Sequence, residues 1–199
     1  MSMNKLVLNS DKTHLLVMCT SNQHKKHQNY NITLDTGTEI IEPITSEKLL
    51  GGFISNDFKW NEHVRNNEKS LFRILTSRVN ALSKISKVSS FKTRKMLANG
   101  LVISQIIYLI QLWGGCSDYL IKFIQVIQNR AARLVTKLDW YTPVQKLLDQ
   151  CGWLSVKQLV EYHSLLLVYK VKAEGISVYP RLLPCIQEAG CYILPAVSH

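Results

Sequence analysis

The sequence predicts a mainly α fold: a helical bundle preceded by a small antiparallel β-hairpin region, α+β overall. Three observations predict it. Up to residue 58 the apolar residues come in short runs separated by polar or glycine-containing turns. From residue 59 onward they recur at the spacing of a helix with one buried face. Helix start and stop residues then punctuate the second part. The expected organisation is a β region over 1–58, a helical region over 59–180 and an irregular tail over 181–199.

Residues 14–20 (His-Leu-Leu-Val-Met-Cys-Thr) read as a buried strand, and the polar residues 21–31 as an exposed loop. Residues 31–34 and 39–42 flank Asp35-Thr36-Gly37-Thr38, a hairpin turn in which glycine supplies the positive φ. Residues 49–54 read as another short strand, bulged at Gly51-Gly52. A long helix is expected over 61–88, with Val64, Leu71, Phe72, Leu75, Val79 and Leu82 on its apolar side. A second is expected over 91–113, ended by Gly114-Gly115. Its stretch 96–113 is mostly apolar, but Asn99, Gly100, Ser104, Gln105 and Gln111 interrupt it. A membrane span needs about twenty predominantly apolar residues, so this segment reads as the buried middle of a bundle.

Ser117 or Asp118 is placed to cap a third helix over 118–138, whose apolar side carries Leu120, Ile124, Ile127, Ala131, Leu134 and Leu138. Thr142-Pro143 starts a short helix that Gly152 ends. Ser155 and Gln158 have capping-box spacing for a last helix running to about Ala173 and stopped by Gly175. After Pro180 the periodicity fades into an expected loose tail.

Charge points to a partner. The 199 residues include 24 Lys+Arg against 14 Asp+Glu, a formal net charge of +10. Residues 59–95 alone hold ten Lys or Arg and two Asp or Glu, a net of +8. On the first helix Arg65, Lys69, Arg73, Lys84 and Lys87 fall within roughly one quadrant at about 100° per residue. On the third, Lys122, Arg130, Arg133 and Lys137 share the face opposite the apolar one. A helix that packs by one side and is basic on the other can lie along a polyanion, and a concentrated basic surface favours nucleic acid or an anionic membrane; the expected partner is RNA, DNA or an RNA/DNA hybrid, with no membrane. The bland alternative is a pair of solvated faces. With 46% hydrophobic residues the chain can bury a core and is not a disordered tail. Its five cysteines are scattered and odd in number, which favours a reducing, intracellular compartment without separating nucleus from cytoplasm. The run Leu6-Val7-Leu8 is too short for a signal peptide.

No catalytic constellation stands out. The six aspartates (Asp11, Asp35, Asp57, Asp118, Asp139, Asp149) are all singletons, whereas two-metal phosphoryl transfer needs clustered carboxylates. Cys19, His24 and His27 make at most a partial zinc set with no obvious fourth ligand. His63 and His163 read as packed or surface histidines. Residues 142–173 have the outline of a helix-turn-helix. The second helix, however, offers Leu159, Val160, Leu165, Leu166, Leu167 and Val168, which look like core rather than readers of base edges. No catalytic residue, metal site or cofactor is expected.

Several segments carry a family resemblance. Residues 3–13 (Met-Asn-Lys-Leu-Val-Leu-Asn-Ser-Asp-Lys-Thr) resemble the late palm motif of reverse transcriptases from LINE-type (non-LTR, jockey-like) retrotransposons. Lys48-Leu49-Leu50-Gly51, followed by Asp57, Trp60 and His63, resembles the segment those enzymes use near the primer end. Tyr108, Trp113-Gly114, Gln128-Asn129-Arg130-Ala131-Ala132-Arg133 and Gly152-Trp153-Leu154 resemble that family's thumb and post-thumb region. The order and spacing of these segments over residues 3–180 carry the resemblance. It implies a palm-sheet edge followed by a helical thumb that grips a template–primer duplex by its backbone. It also implies a late-palm position for Asn9 and Lys12, the lysine assisting nucleotide addition, and a primer-side backbone turn at Gly51 and Gly52. The family's paired metal-binding aspartates should precede Asn4 and are not present, so the resemblance implies a truncated fragment without polymerase activity. Magnesium would be expected only in a complete parent enzyme. The expected function is therefore duplex binding through basic helix faces. The alternative is a non-catalytic helical interaction module, or an inert retrotransposon relic.

Overall fold

The computed structural model describes residues 12–18, 33–35 and 40–173. The chain divides into two compact units, Met1–Val160 and Glu161–His199. It is mainly α with a few short strands, as the periodicity predicts.

Among the described residues the strands form three two-stranded pairs. β1 (Leu15–Leu16) pairs in parallel with β4 (Pro43–Ile44), and β2 (Leu34–Asp35) pairs antiparallel with β3 (Ile40–Ile41). The second pair is the hairpin expected around Asp35-Thr36-Gly37-Thr38, although residues 36–39 lie outside the described ones. The first differs from expectation. Among the described residues of 14–20, only Leu15 and Leu16 are strand, half-buried and paired with the two residues of β4; residues 19 and 20 lie outside the described ones.

β5 (Ser46–Leu49) and β6 (Gly52–Ser55) correct the single bulged strand over 49–54. They are an antiparallel hairpin in register Leu49↔Gly52. Leu50 and Gly51 both have positive φ, 48° and 85°, the signature of a two-residue hairpin turn whose twist matches the strands. The glycine pair is thus a turn and a strand start, not a bulge.

The helix expected over 61–88 is broken. A π turn at Glu62–Asn66 comes first, and α1 (Leu71–Ile85) begins after Ser70. Asn67 is extended (ψ 150°), its side-chain oxygen accepts from Lys69 N at 2.8 Å, and its carbonyl accepts from Ser70 N at 3.0 Å. An asparagine side chain that captures nearby backbone donors competes with the helix, and here it wins. The apolar side is as expected: Val64, Leu71, Leu75, Val79 and Leu82 are buried, and Phe72 is half-buried.

The helix expected over 91–113 is also segmented. α2 (Phe91–Ala98) runs into a π turn at Asn99–Ile103, then α3 (Ser104–Ile107) and α4 (Ile110–Trp113). The bend lies at Tyr108 (ψ 123°) and Leu109 (φ 56°). Tertiary contacts hold it: Tyr108 donates its hydroxyl to Leu50 O at 2.6 Å, and its carbonyl accepts Trp113 Nε1 at 3.0 Å. Ala98, Val102, Ile106, Ile110 and Trp113 have no exposed surface, so the segment is the middle of the bundle. No described helix is long and apolar enough to cross a membrane.

α5 spans Asp118–Thr136. Ser117 occupies its N-cap position, but no side chain there bonds the free N–H groups, contrary to the capping expected. It ends two residues before Leu138, because Thr136 Oγ1 accepts from Leu138 N at 3.4 Å and Lys137 turns left-handed. Its buried side is wider than expected. Gln128, Ala132 and Val135 join the predicted residues, since α5 packs against α1, α2 and α6 at once. α6 (Val144–Cys151) starts directly after Pro143 and ends at left-handed Gly152 (φ 64°). α7 (Val156–Ala173) opens on the expected capping box: Ser155 N donates to Gln158 Oε1 at 3.0 Å, and Gln158 N to Ser155 Oγ at 3.3 Å.

Two buried clusters result. One joins α1, the 99–113 segment, α5 and the start of α7; the other joins Leu82, Ala98, Ala132, Val135, Leu147, Leu148 and Cys151. Leu134 and Trp153 pack against both. Leu159 is buried as expected of core, but Leu165 and Leu167 are 68% and 47% exposed. Three consecutive leucines point in directions about 100° apart, so no single packing surface can cover them.

Candidate nucleic-acid interface

The outer surface of α1, together with Arg65, lines an open groove of about 870 Å³. Arg65, Phe72, Arg73, Thr76, Ser77, Asn80, Ala81, Lys84 and Ile85 line it. Among the described residues, three cations and no carboxylate line this groove. Arg73, Ser77, Asn80 and Lys84 sit at spacings of four, three and four along the helix, so they form one polar stripe.

Arg65 reaches the groove from the π turn rather than from α1. Its guanidinium carbon lies 4.1 Å from the Phe123 ring centroid and 5.5 Å from that of Tyr119, and it donates to the Tyr119 hydroxyl. Phe123 stacks edge-on with both Phe72 and Tyr119. An arginine seated on aromatic faces is held by its ring contacts while it keeps its charge. Arg130, exposed on α5, donates to Asn80 Oδ1 at 2.9 Å. That bond ties the second basic stripe to the rim of the groove.

The nine cations expected on two basic helix faces are thus only partly gathered. Arg65, Arg73, Lys84 and Arg130 meet at the groove. Lys69 sits in the turn before α1, because Asn67 broke the helix, and Lys87 lies beyond the end of α1. Lys122 is exposed on α5, and Lys137 is its left-handed cap rather than part of a helical stripe. Arg133 is half-buried: its guanidinium carbon is 4.7 Å from the Trp140 ring centroid, and its Nε is buried without a partner. Lys12 is exposed ahead of β1, and Asn9 lies outside the described residues. So do Cys19, His24 and His27.

Gly51 and Gly52 face the protein's own bend. A Cβ at Gly51 would lie 3.4 Å from the Tyr108 ring, and one at Gly52 3.0 Å from Leu109 Cδ1. Other residues of the expected thumb pattern also sit at joints. Gln128, fully buried, donates to Leu154 O at 2.9 Å, and Trp153 Nε1 donates to Asn99 Oδ1 at 2.8 Å. His63 is a packed histidine: it is 5% exposed, Nδ1 accepts from Phe53 N at 3.4 Å, and Nε2 has no partner. Burial lowers its pKa. Asp57 is held down to about 2, first by its bond to Lys59, at 2.9 Å.

Three features escaped sequence reasoning. Thr76, Ser77 and Asn80 add hydrogen-bonding groups to the basic groove; their spacing with Arg73 was the available signal. Arg94 is buried and donates through Nε to Val135 O at 2.9 Å, so one of the counted positive charges caps the end of α5. Trp140 and Tyr141 are 76% and 92% exposed in the loop between α5 and α6. Compared with known protein families, curated proteins and solved structures, the chain matches none of them.

Proposed function

We propose that this chain binds a nucleic-acid duplex, RNA/DNA hybrid included, through the basic groove on α1, with Arg130 of α5 joined to it through Asn80. The observation that carries the reading is the gathering of Arg65, Arg73, Lys84 and Arg130 at one open groove lined by no carboxylate among the described residues. Arg73 and Lys84 are eleven residues apart, roughly 16 Å along a helix. That length matches about five phosphates of one strand at B-form spacing. Such contacts give affinity without sequence preference. The resemblance to LINE-type reverse transcriptases supports the same reading, with these helices as a thumb-like grip. No polymerase activity is proposed, since the aspartates of the chain are singletons.

The test is anisotropy of a labelled RNA/DNA hybrid at several salt concentrations. The comparison is a folded variant carrying Arg73→Glu and Lys84→Glu, two exposed positions that line the groove. The natural chain should lose affinity steeply with salt, and the variant's log–log slope should be shallower by about 0.9 for each contact removed. Salt-independent binding, or none at low salt, overturns the reading.

A second reading has one observation in its favour. Arg65, Arg130 and Arg133 each bond or stack on a neighbouring side chain, so part of the charge serves to hold helices together. In a helical interaction module of that kind, natural chain and variant would bind the hybrid equally weakly.

A further inference from the structure

We infer that the loop between α5 and α6 is a stacking platform for unpaired nucleobases, separate from the duplex groove. Lys137 turns left-handed at the end of α5, Thr142 N closes a turn on Asp139 O at 3.0 Å, and Pro143 starts α6. This short, fixed path lifts Trp140 and Tyr141 out of the fold. Arg133 covers one face of the Trp140 ring with its guanidinium and orients the residue, reaching toward Trp140 O at 3.5 Å. At 76% exposure, the remaining surface of the Trp140 ring is open.

Arg133 at the Trp140 ring, and the charge flanking the pair in the sequence, select the occupant. Arg133, Lys137 and Lys146 stand within the same stretch of chain as one carboxylate, Asp139. Flat rings for base faces, with cations for the adjoining phosphates, are the two components of a single-strand site. A protein partner fits less well. Each ring offers at most about 150–250 Å², whereas a stable protein interface takes about 800 Å² per partner.

The platform rests on the duplex-binding reading, which supplies the class of ligand, yet it can be tested alone. Trp140 is the exposed member of the four tryptophans; Trp113 is fully buried, and Trp60 and Trp153 are half-buried. A short single-stranded oligonucleotide should therefore quench the intrinsic fluorescence of the full chain, and Trp140→Phe should remove that change. A hybrid with a single-stranded overhang should bind about tenfold more tightly than the same blunt hybrid. Trp140→Ala with Tyr141→Ala should abolish that preference and leave blunt-hybrid affinity unchanged, while the double phenylalanine variant keeps most of it. Absence of quenching, or an overhang preference that survives the alanine variant, overturns the platform. So does tighter binding to anionic vesicles than to the oligonucleotide, with a blue shift of Trp140. Quenching that persists while the blunt hybrid fails to bind would overturn the duplex groove and leave the platform standing.

Discussion

His63 shows at the scale of one residue how burial is converted into pH dependence. Its ring accepts one backbone hydrogen bond, packs edge-on to Trp60 at 5.9 Å, and leaves Nε2 buried without a partner. Protonating it would place an unpaired charge in that site, so its folded pKa lies below the usual 6.5. The unfolded chain then binds the proton more readily. The contribution of His63 is present above 6.5 and is lost as pH falls through the lowered folded value. His63→Gln keeps an acceptor for Phe53 N and removes the titration. Urea unfolding about one pH unit above and below 6.5 should show the natural chain losing more stability on acidification than the variant. Equal losses would mean that the histidine does not couple to folding.

The caps decide where elements stop. Gly152 ends α6 with φ 64°, and Trp153 N bonds back to Leu148 O at 2.9 Å. An L side chain in the left-handed region is strained, so Gly152→Ala should destabilise the fold by about 1 kcal/mol, read as a shifted denaturation midpoint at unchanged slope. A neutral result would show that the turn relaxes to another path. The same logic explains the segmentation of the two long predicted helices. Asn67 and Leu109 adopt conformations that no apolar periodicity encodes, and each is stabilised by specific hydrogen bonds around it.

Within the unit Met1–Val160, two apolar clusters are joined through Leu134 and Trp153. Trp153 also bonds Asn99 at the π turn, and Gln128 bonds the neighbouring Leu154 carbonyl. These joints couple α2, α5, α6 and the start of α7, so the unit should unfold in one transition. Trp153→Ala should lower stability by about 3 kcal/mol and keep the transition single. Two separated transitions would show that the clusters fold independently. The charge of this unit is not spent in one place: Arg94 caps a helix, Arg133 backs a tryptophan, and Arg73 and Lys84 remain exposed in the groove.

The sequence by itself determined the helical class, the first hairpin around Asp35, the apolar sides of α1 and α5, the capping box at Ser155 and the stop at Gly152. Each follows from period, cap or turn chemistry acting over a few residues. Only the tertiary structure decided which charges meet. Arg65 and Lys69 were expected on one continuous stripe with Arg73, but the Asn67 turn separated them from α1. Arg65 returned to the groove because Tyr119 and Phe123, more than fifty positions later, offered it aromatic faces. The bend at Tyr108 depended likewise on the distant Leu50 carbonyl. Periodicity reports only the direction in which a side chain leaves its own helix; what it meets there is set by elements far away in the chain.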